Sequence, residues 1–267
     1  MNLKQMRDHY IQNEYSLFNA TARVCQDVVL KKIAASSIKD NVAVKGGILM
    51  CALSGNARRA TQDIDLDFIR YSISDESVRR FVQILSDVDD GVTISIEGNL
   101  KDLSHPDYNG KRADISISDG ESIFRTKLDL GVHAKLDIEQ NECFFDIALD
   151  DEGVYLLANP FEQAFAEKLK SLVRHGIRSS RFRDLYDIYY LGHREDYDDN
   201  RFLACVETLI LDDPLMRENE MADIAGRIRR TLSDDGFQKK MEASHRDWTD
   251  TSAKEVSGWL IQFLSDR

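Results

Sequence analysis

Lys45-Gly46-Gly47, a short apolar run, and then Arg59-Ala60-Thr61-Gln62-Asp63-Ile64-Asp65-Leu66-Asp67-Phe68 make up the stretch that decides the fold. The period of two in a strand places Asp63, Asp65 and Asp67 on one face, with Cα atoms about 7 Å apart, and Ile64, Leu66 and Phe68 on the other. Three carboxylates on one face of a buried strand repel one another and lose hydration, and a bound cation is the usual compensation. Upstream, β-prone Val42-Ala43-Val44 stops at the glycine pair, and Ile48-Leu49-Met50-Cys51-Ala52-Leu53 suits a buried helix closed near Gly55. The order is strand, glycine turn, helix. Backbone N–H groups at such a turn can approach a phosphate without interference from Cβ, and the positive end of the following helix favours the anion.

Working outward, residues 3–37 carry apolar positions near helical spacing with no Gly or Pro, which predicts one long helical cover at the N-terminus. Residues 55–59 read as a loop and 63–69 as the aspartate strand. Ser74 caps a helix over 75–87, with Val78, Phe81, Val82 and Leu85 on its apolar side. Strands are expected at 92–96, 113–117, 124–130 and 143–147, while 101–110, with Pro106, Asn109 and two aspartates, reads as a loop. After Asn159-Pro160 every periodic segment is helical: one stripe of Phe161, Phe165, Leu169 and Leu172, another of Phe182, Leu185, Tyr186 and Tyr189, then helices near 201–211, 218–232 and 253–265. The expected division is a mixed α+β domain at 1–157 and a helical domain at 158–267.

A chain of 267 residues with 42% hydrophobic residues builds a proper core. Its net charge of -12 argues against a surface devoted throughout to gripping nucleic acid, which needs clustered Lys and Arg, but leaves room for a local basic patch. No apolar run has the length of a membrane span and the first residues are polar, so a cytoplasmic protein is expected. Cys25, Cys51, Cys143 and Cys205 lie far apart in apolar contexts and read as buried free thiols. The six histidines are scattered and form no metal-binding pattern.

Asp129, in Lys127-Leu128-Asp129-Leu130-Gly131, lies on another expected strand and can close a metal site with Asp63 and Asp65. Asp137, Asp67 and Asp114 are weaker competitors for that third place. Two metal ions roughly 4 Å apart would orient an attacking hydroxyl and stabilise a pyrophosphate leaving group, and one ion would also organise a triphosphate. A second cluster runs from Glu167-Lys168-Leu169-Lys170 through Arg174, His175, Arg178 and Arg181 to Arg183-Asp184-Leu185-Tyr186-Asp187. Read as a local positive patch, it suits a triphosphate, and Lys168 should lie at the edge of the buried stripe. The plainer alternative is a surface ion pair between Arg183 and Asp187, one helical turn apart.

With these residues in place, the chain resembles the AbiEii/AbiGii toxin family of nucleotidyltransferases, within the DNA polymerase β-like superfamily. The likeness is carried by Lys45-Gly46-Gly47, Arg59-x-Thr61-x-Asp63-Ile64-Asp65-Leu66, Lys127-Leu128-Asp129, Ala166-Glu167-Lys168-Leu169 and Arg183-Asp184-Leu185-Tyr186-Asp187, in that order. It implies an α+β fold: a small polymerase-β-like mixed sheet flanked by helices and followed by a helical C-terminal domain. It also implies Mg²⁺, one or two ions, at Asp63 and Asp65, with Asp129 as the third carboxylate suggested above. The nucleotide-binding set is Lys45, Gly46, Gly47, Arg59, Thr61, Lys168 and Arg183, and Lys168 and Asp184 belong to the downstream active-site motifs. The NTP is the substrate, an RNA or tRNA end or a protein the acceptor, and a separately encoded antitoxin the partner. Ile48 departs from the pattern, since the family often has Thr or Ser directly after the glycines; backbone N–H groups then carry the phosphate contact. A catalytically silent nucleotide-binding or interaction protein of the same fold is the second reading. A metal-dependent nuclease explains neither the glycine turn nor the Lys168 cluster.

Overall fold

Alternation along the aspartate stretch does produce a strand. The computed structural model describes residues 1–105, 108–132 and 138–267, and in it β2 (Ile64–Phe68) buries Ile64, Leu66 and Phe68 completely or nearly so. It lies inside a seven-stranded sheet of order β3-β4-β5-β2-β1-β7-β6. β1 (Val42–Val44) pairs antiparallel with β2 on one side and parallel with β7 (Asp150–Ala158) on the other. β3 (Thr93–His105), β4 (Tyr108–Ser118) and β5 (Ile123–Val132) form an antiparallel meander whose last strand runs parallel to β2. β6 (Asn141–Ile147) closes the other edge against β7. The sheet is mixed, and with ten α-helices among the described residues the class is α+β.

Two compact units divide the chain at Met1–Asn159 and Pro160–Arg267. In the first, the expected single N-terminal helix is two, α1 (Leu3–Gln12) and α2 (Leu17–Ala35). Glu14 adopts φ 67, which no helix accommodates, and the Ser16 side chain accepts the Asn19 N–H to start a new helix. α2 packs against β5, β6, β7 and α4 (Asp75–Ser86). Burying Val28, Leu30 and Ile33 contributes about 2 kcal/mol each. α2 also buries charge. Arg23 and Tyr10 both hydrogen-bond within a group centred on Asp27, whose Oδ2 accepts from the Tyr10 hydroxyl at 2.6 Å and the Ala148 N–H at 3.0 Å. Lys32, fully buried, donates to Asp90 Oδ1 and Val88 O. Such groups remain buried only because each has partners.

The stretch 101–110 is not a loop at its flanks: β3 continues to His105 and β4 begins at Tyr108, with a register shift between Glu97 and Lys101 absorbing the irregularity. Pro106 lies outside the described residues. β7 follows a tight turn at Ala148–Leu149, where Leu149 takes φ 60.

The second unit is helical: α5 (Phe161–His175), α6 (Phe182–Gly192), α7 (Asp199–Val206) running into a π-helical turn, α8 (Met221–Leu232), α9 (Asp235–Ala243) and α10 (Ala253–Ser265). Phe165 is its hub, with ring centroids 4.6 Å from Phe202 and 5.3 Å from Phe263, on which it stacks, and the tilted Trp259 ring lies 4.8 Å from Phe263. Three of the cysteines are buried, as their apolar contexts suggest, but Cys143 on the edge strand is only half-buried. No helix among the described residues is long and apolar enough to cross a membrane.

Candidate active site

The site begins with the glycine pair. α3 (Gly46–Ser54) starts at the glycines and ends at Gly55, whose φ of 59 caps it in the left-handed conformation. Lys45 is the residue before the helix, and its backbone N–H donates to Asp65 O at 3.2 Å, which docks the turn onto β2. Gly46 has φ +62, and a Cβ there would overlap Asp65 Oδ2 and stand 2.9 Å from its Cγ. A Cβ on Gly47 would lie 2.5 Å from Thr61 Cβ. The glycines are therefore required by the closeness of Asp65 and Thr61 as much as by the turn. The Gly47 N–H points at Asp65 Oδ2, 3.4 Å away. Ile48 is fully buried, so the position after the glycines faces the core.

Strand register supplies the rest. Asp65 on β2 pairs with Asp129 on parallel β5, and Asp129 in turn pairs with Arg112 on antiparallel β4. Three neighbouring strands, each about 4.8 Å from the next, thus set carboxylate, carboxylate and guanidinium in a row. Arg112 forks onto Asp129, Nε to Oδ1 at 2.6 Å and Nη2 to Oδ2 at 2.5 Å. The same Nη2 is 3.9 Å from Asp63 Oδ2. Asp63, just before β2, is the most exposed of the three carboxylates.

Burial, above all, raises the Asp65 carboxyl above its ordinary range; Lys45 opposes this, and Asp129 and Asp63 reinforce it. The hydrogen bonds to Asp129 raise the Arg112 guanidinium further, despite partial burial. Asp67 is the next residue along the face and is nearly buried, but Lys45 Nζ holds its Oδ1 at 2.6 Å. A Cβ on Gly131, its partner on β5, would overlap that same oxygen and stand 3.1 Å from Lys45 Nζ, so glycine is what lets the ion pair lie on the sheet.

Of the residues that the sequence motifs mark, Lys45, Gly46, Gly47, Thr61, Asp63, Asp65 and Asp129 come together. Arg59 lies in a one-turn 3₁₀ helix and is only 3% exposed, which leaves it little surface to offer a nucleotide. Thr61 is steadied from behind, its carbonyl accepting from Gln26 Nε2 on α2 at 2.9 Å. Among the weaker competitors, Asp67 is paired with Lys45, Asp114 faces Lys101 at 2.6 Å, and Asp137 lies outside the described residues. Arg112 is an addition that none of the motifs contains. Among the described residues, no three His, Cys, Asp or Glu side chains stand in a geometry that holds a metal ion.

In the helical unit, Lys168 on α5 is only 8% exposed and bridges two carboxylates of α6, Asp184 Oδ1 at 3.1 Å and Asp187 Oδ2 at 2.8 Å. Asp187 is fully buried and also accepts from Trp248 Nε1 at 3.0 Å, so it is not half of a surface ion pair. Arg183, one position before Asp184, is half-buried in the first turn of α6. Arg181 Nε approaches Asp184 Oδ2 at 2.6 Å, and Lys170 Nζ approaches Asp213 Oδ2 at 2.5 Å. The basic patch expected here is largely neutralised, by Asp184 and Asp187 of the same stretch and by Asp213, which the linear sequence does not place beside it. Lys168, Ser179, Arg181 and Asp184 line a small recess.

The sequence matches the family described as Nucleotidyl transferase AbiEii toxin, Type IV TA system, over residues 28–256. No curated protein matches. Among solved structures, a Helicobacter pylori protein named as a candidate nucleotidyltransferase aligns with a TM-score of 0.50 at 16% identity, covering 92% of this chain and 93% of that one. JHP933 from Helicobacter pylori aligns at 0.46, 16% identity, 90% and 88% coverage. An antigenic nucleotidyltransferase-like protein from Paracoccidioides brasiliensis aligns at 0.42, 14% identity, 82% and 91% coverage. At these identities the first likeness supports the fold alone; the family match spans most of the chain and includes the glycine turn, the aspartate strand and Asp129. The chain belongs to the AbiEii family of nucleotidyl transferase toxins.

Proposed function

We propose that this nucleotidyltransferase moves a nucleoside monophosphate from an NTP to an acceptor hydroxyl in an Mg²⁺-dependent reaction, and that the acceptor is RNA, with a tRNA end the favoured form. The single observation that carries the reading is the register of Asp65 with Asp129 directly beside the glycine start of α3. The donor set suits a divalent cation, because Asp63 and Asp129 already share a cationic group, the Arg112 guanidinium, and Asp65 lies half-buried beside them. Asp63, Asp65 and Asp129 would hold the metal after leaving the arrangement described above, in which they do not converge on an ion and Arg112 holds Asp129. When bound, it would neutralise the triphosphate and favour ionisation of the attacking hydroxyl.

The chain's own groups do the remaining work. The Gly46 and Gly47 backbone takes the phosphates at the N-terminus of α3, with Thr61 at its side. The acceptor oxygen bonds to the α-phosphorus as the bond to the β-phosphate oxygen breaks, and pyrophosphate leaves. The acceptor proton passes to a carboxylate, for which Asp129 is the candidate. Lys45, tied to Asp67, sets a fixed positive charge near Asp65. Roles for Lys168, Arg183 and Asp184 in transfer are part of the same proposal and rest on the family motifs. An antitoxin encoded alongside this chain is the expected partner.

Incubation with each α-labelled NTP, Mg²⁺ and cell extract, followed by RNase or protease, tests the acceptor. Release of label by RNase alone supports the proposal. Release by protease alone overturns the RNA acceptor and leaves nucleotidyl transfer standing.

A further inference from the structure

The acidic site already has a cation, and that cation belongs to the protein. Arg112 takes both oxygens of Asp129 in a fork and reaches towards Asp63, so the guanidinium stands between two of the three carboxylates expected to hold metal. β4 fixes it there: Arg112 is directly opposite Asp129 in the antiparallel register, and two positions on, Asp114 is opposite Lys127. Planar guanidinium and planar carboxylate match in two parallel hydrogen bonds, a pairing that lysine cannot reproduce. Asp129 is mostly shielded from water, with its side chain 15% exposed, and Arg112 is only 29% exposed. A magnesium ion needs carboxylate oxygens at about 2.0–2.1 Å in near-octahedral geometry. It cannot take both oxygens of Asp129 while the fork is closed, and a divalent ion beside a guanidinium is repelled.

We propose that Arg112 is the resident counter-ion of the site and that a divalent metal ion must displace it from Asp129 in order to bind. The inference rests on the proposed use of Asp63, Asp65 and Asp129 as metal ligands. In the metal-free protein, Arg112 keeps the three carboxylates from repelling one another. Its exchange for a metal ion couples metal arrival to the release of Asp129, the carboxylate offered as proton acceptor, so the fork sets the metal concentration at which the site becomes competent.

The full chain, without nucleotide, is titrated with Mn²⁺ by calorimetry and electron paramagnetic resonance, as wild type, Arg112→Gln and Arg112→Lys. Arg112→Gln should bind Mn²⁺ more tightly, by on the order of tenfold or more, the scale of one unit charge's repulsion at about 4 Å outside bulk water. Arg112→Lys, which keeps the charge without the fork, should fall between. A second readout needs no variant: in the wild type, the Arg112 Nε–H resonance should lose its hydrogen-bonded shift and exchange protection as Mg²⁺ is added. Equal or weaker Mn²⁺ binding by a folded Arg112→Gln, or an Nε–H resonance unmoved at saturating Mg²⁺, overturns the role of Arg112 alone. Absence of metal binding in wild type and Arg112→Gln alike overturns it together with the metal chemistry of the proposed function.

Discussion

Replacing Gly46 by alanine isolates how closely the glycine turn sits on Asp65. Two costs add. A non-glycine residue at φ +62 costs about 1–2 kcal/mol through its own backbone. The new Cβ also overlaps Asp65 Oδ2, with Cγ at 2.9 Å and Cβ at 3.0 Å, and overpacking of this kind costs about 1–3 kcal/mol more. The sum is about 2–5 kcal/mol, and for a domain of this size each kcal/mol lowers Tm by about 2–4 °C. Gly91→Ala is the internal control: its φ is +79 and nothing lies within 4 Å of the point a Cβ would occupy, so it should show the backbone cost alone. Thermal unfolding followed by circular dichroism should therefore rank wild type, Gly91→Ala and Gly46→Ala in falling order. Asp65→Ala, which removes Oδ2 and Cγ, should recover part of the Gly46→Ala loss in the double variant. If Gly46→Ala were no worse than Gly91→Ala, Asp65 would not press on the turn, and the reasoning would fail.

The half-buried Asp65 gives a pH prediction. Its folded carboxyl is raised above the ordinary 3.8, chiefly by burial. Its contribution to stability is thus complete at low pH and lost as pH rises through the raised value. Relative to Asp65→Asn, the metal-free wild type should lose Tm as pH climbs from about 4 to neutrality; parallel curves would contradict this. Since a metal ion needs the carboxylate form, acidification through the same range should weaken Mn²⁺ binding. In the helical unit, Lys168→Met should cost roughly 3–5 kcal/mol in urea unfolding, because it strands the fully buried Asp187, and adding Asp187→Asn should restore part of it. A loss below about 1 kcal/mol would show the cluster to be well solvated. Tyr10→Phe should cost about 1.5–3 kcal/mol by removing the hydroxyl that donates to buried Asp27, and an unchanged unfolding midpoint would refute that.

Local chemistry is what made the sequence legible. The alternation in 63–69 gives β2 its two faces, Gly55 closes α3, and Ser74 caps α4, all through neighbours a few positions apart. The unforeseen features depend on partners far along the chain or on small breaks in a strong pattern. The single N-terminal helix failed at Asn13-Glu14-Tyr15-Ser16, where a serine cap interrupts a periodicity that continues on both sides. β7 begins in Asp150-Asp151-Glu152-Gly153, a turn-like composition whose strand character comes from pairing with β6. α9, capped by Asp234, falls in a stretch where no helix is expected, since only Phe237 and Met241 are buried along it and so short an apolar stripe gives little periodicity. For the site, Asp63, Asp65 and the glycines are near in sequence, whereas Arg112 meets Asp129 only through the β4–β5 register. A signal existed: Arg112 and Asp114 match Asp129 and Lys127 in opposite charge at a spacing of two, the pattern of a cross-strand ladder. Likewise, the basic run from Lys168 to Arg183 looks positive along the chain because Asp213, its partner for Lys170, is 43 positions away.

The central claim, that carboxylates of β2 and β5 carry out nucleotidyl transfer, is tested most directly by α-labelled NTP transfer to RNA with Asp65→Asn and Asp129→Asn. Each variant is compared with wild type at matched folding by circular dichroism. Wild type should attach label and release pyrophosphate in equal amounts, and both variants should lose at least about a hundredfold of that rate, the scale of removing a charge-stabilising group from an active site. Transfer at the wild-type rate by either folded variant would contradict the account.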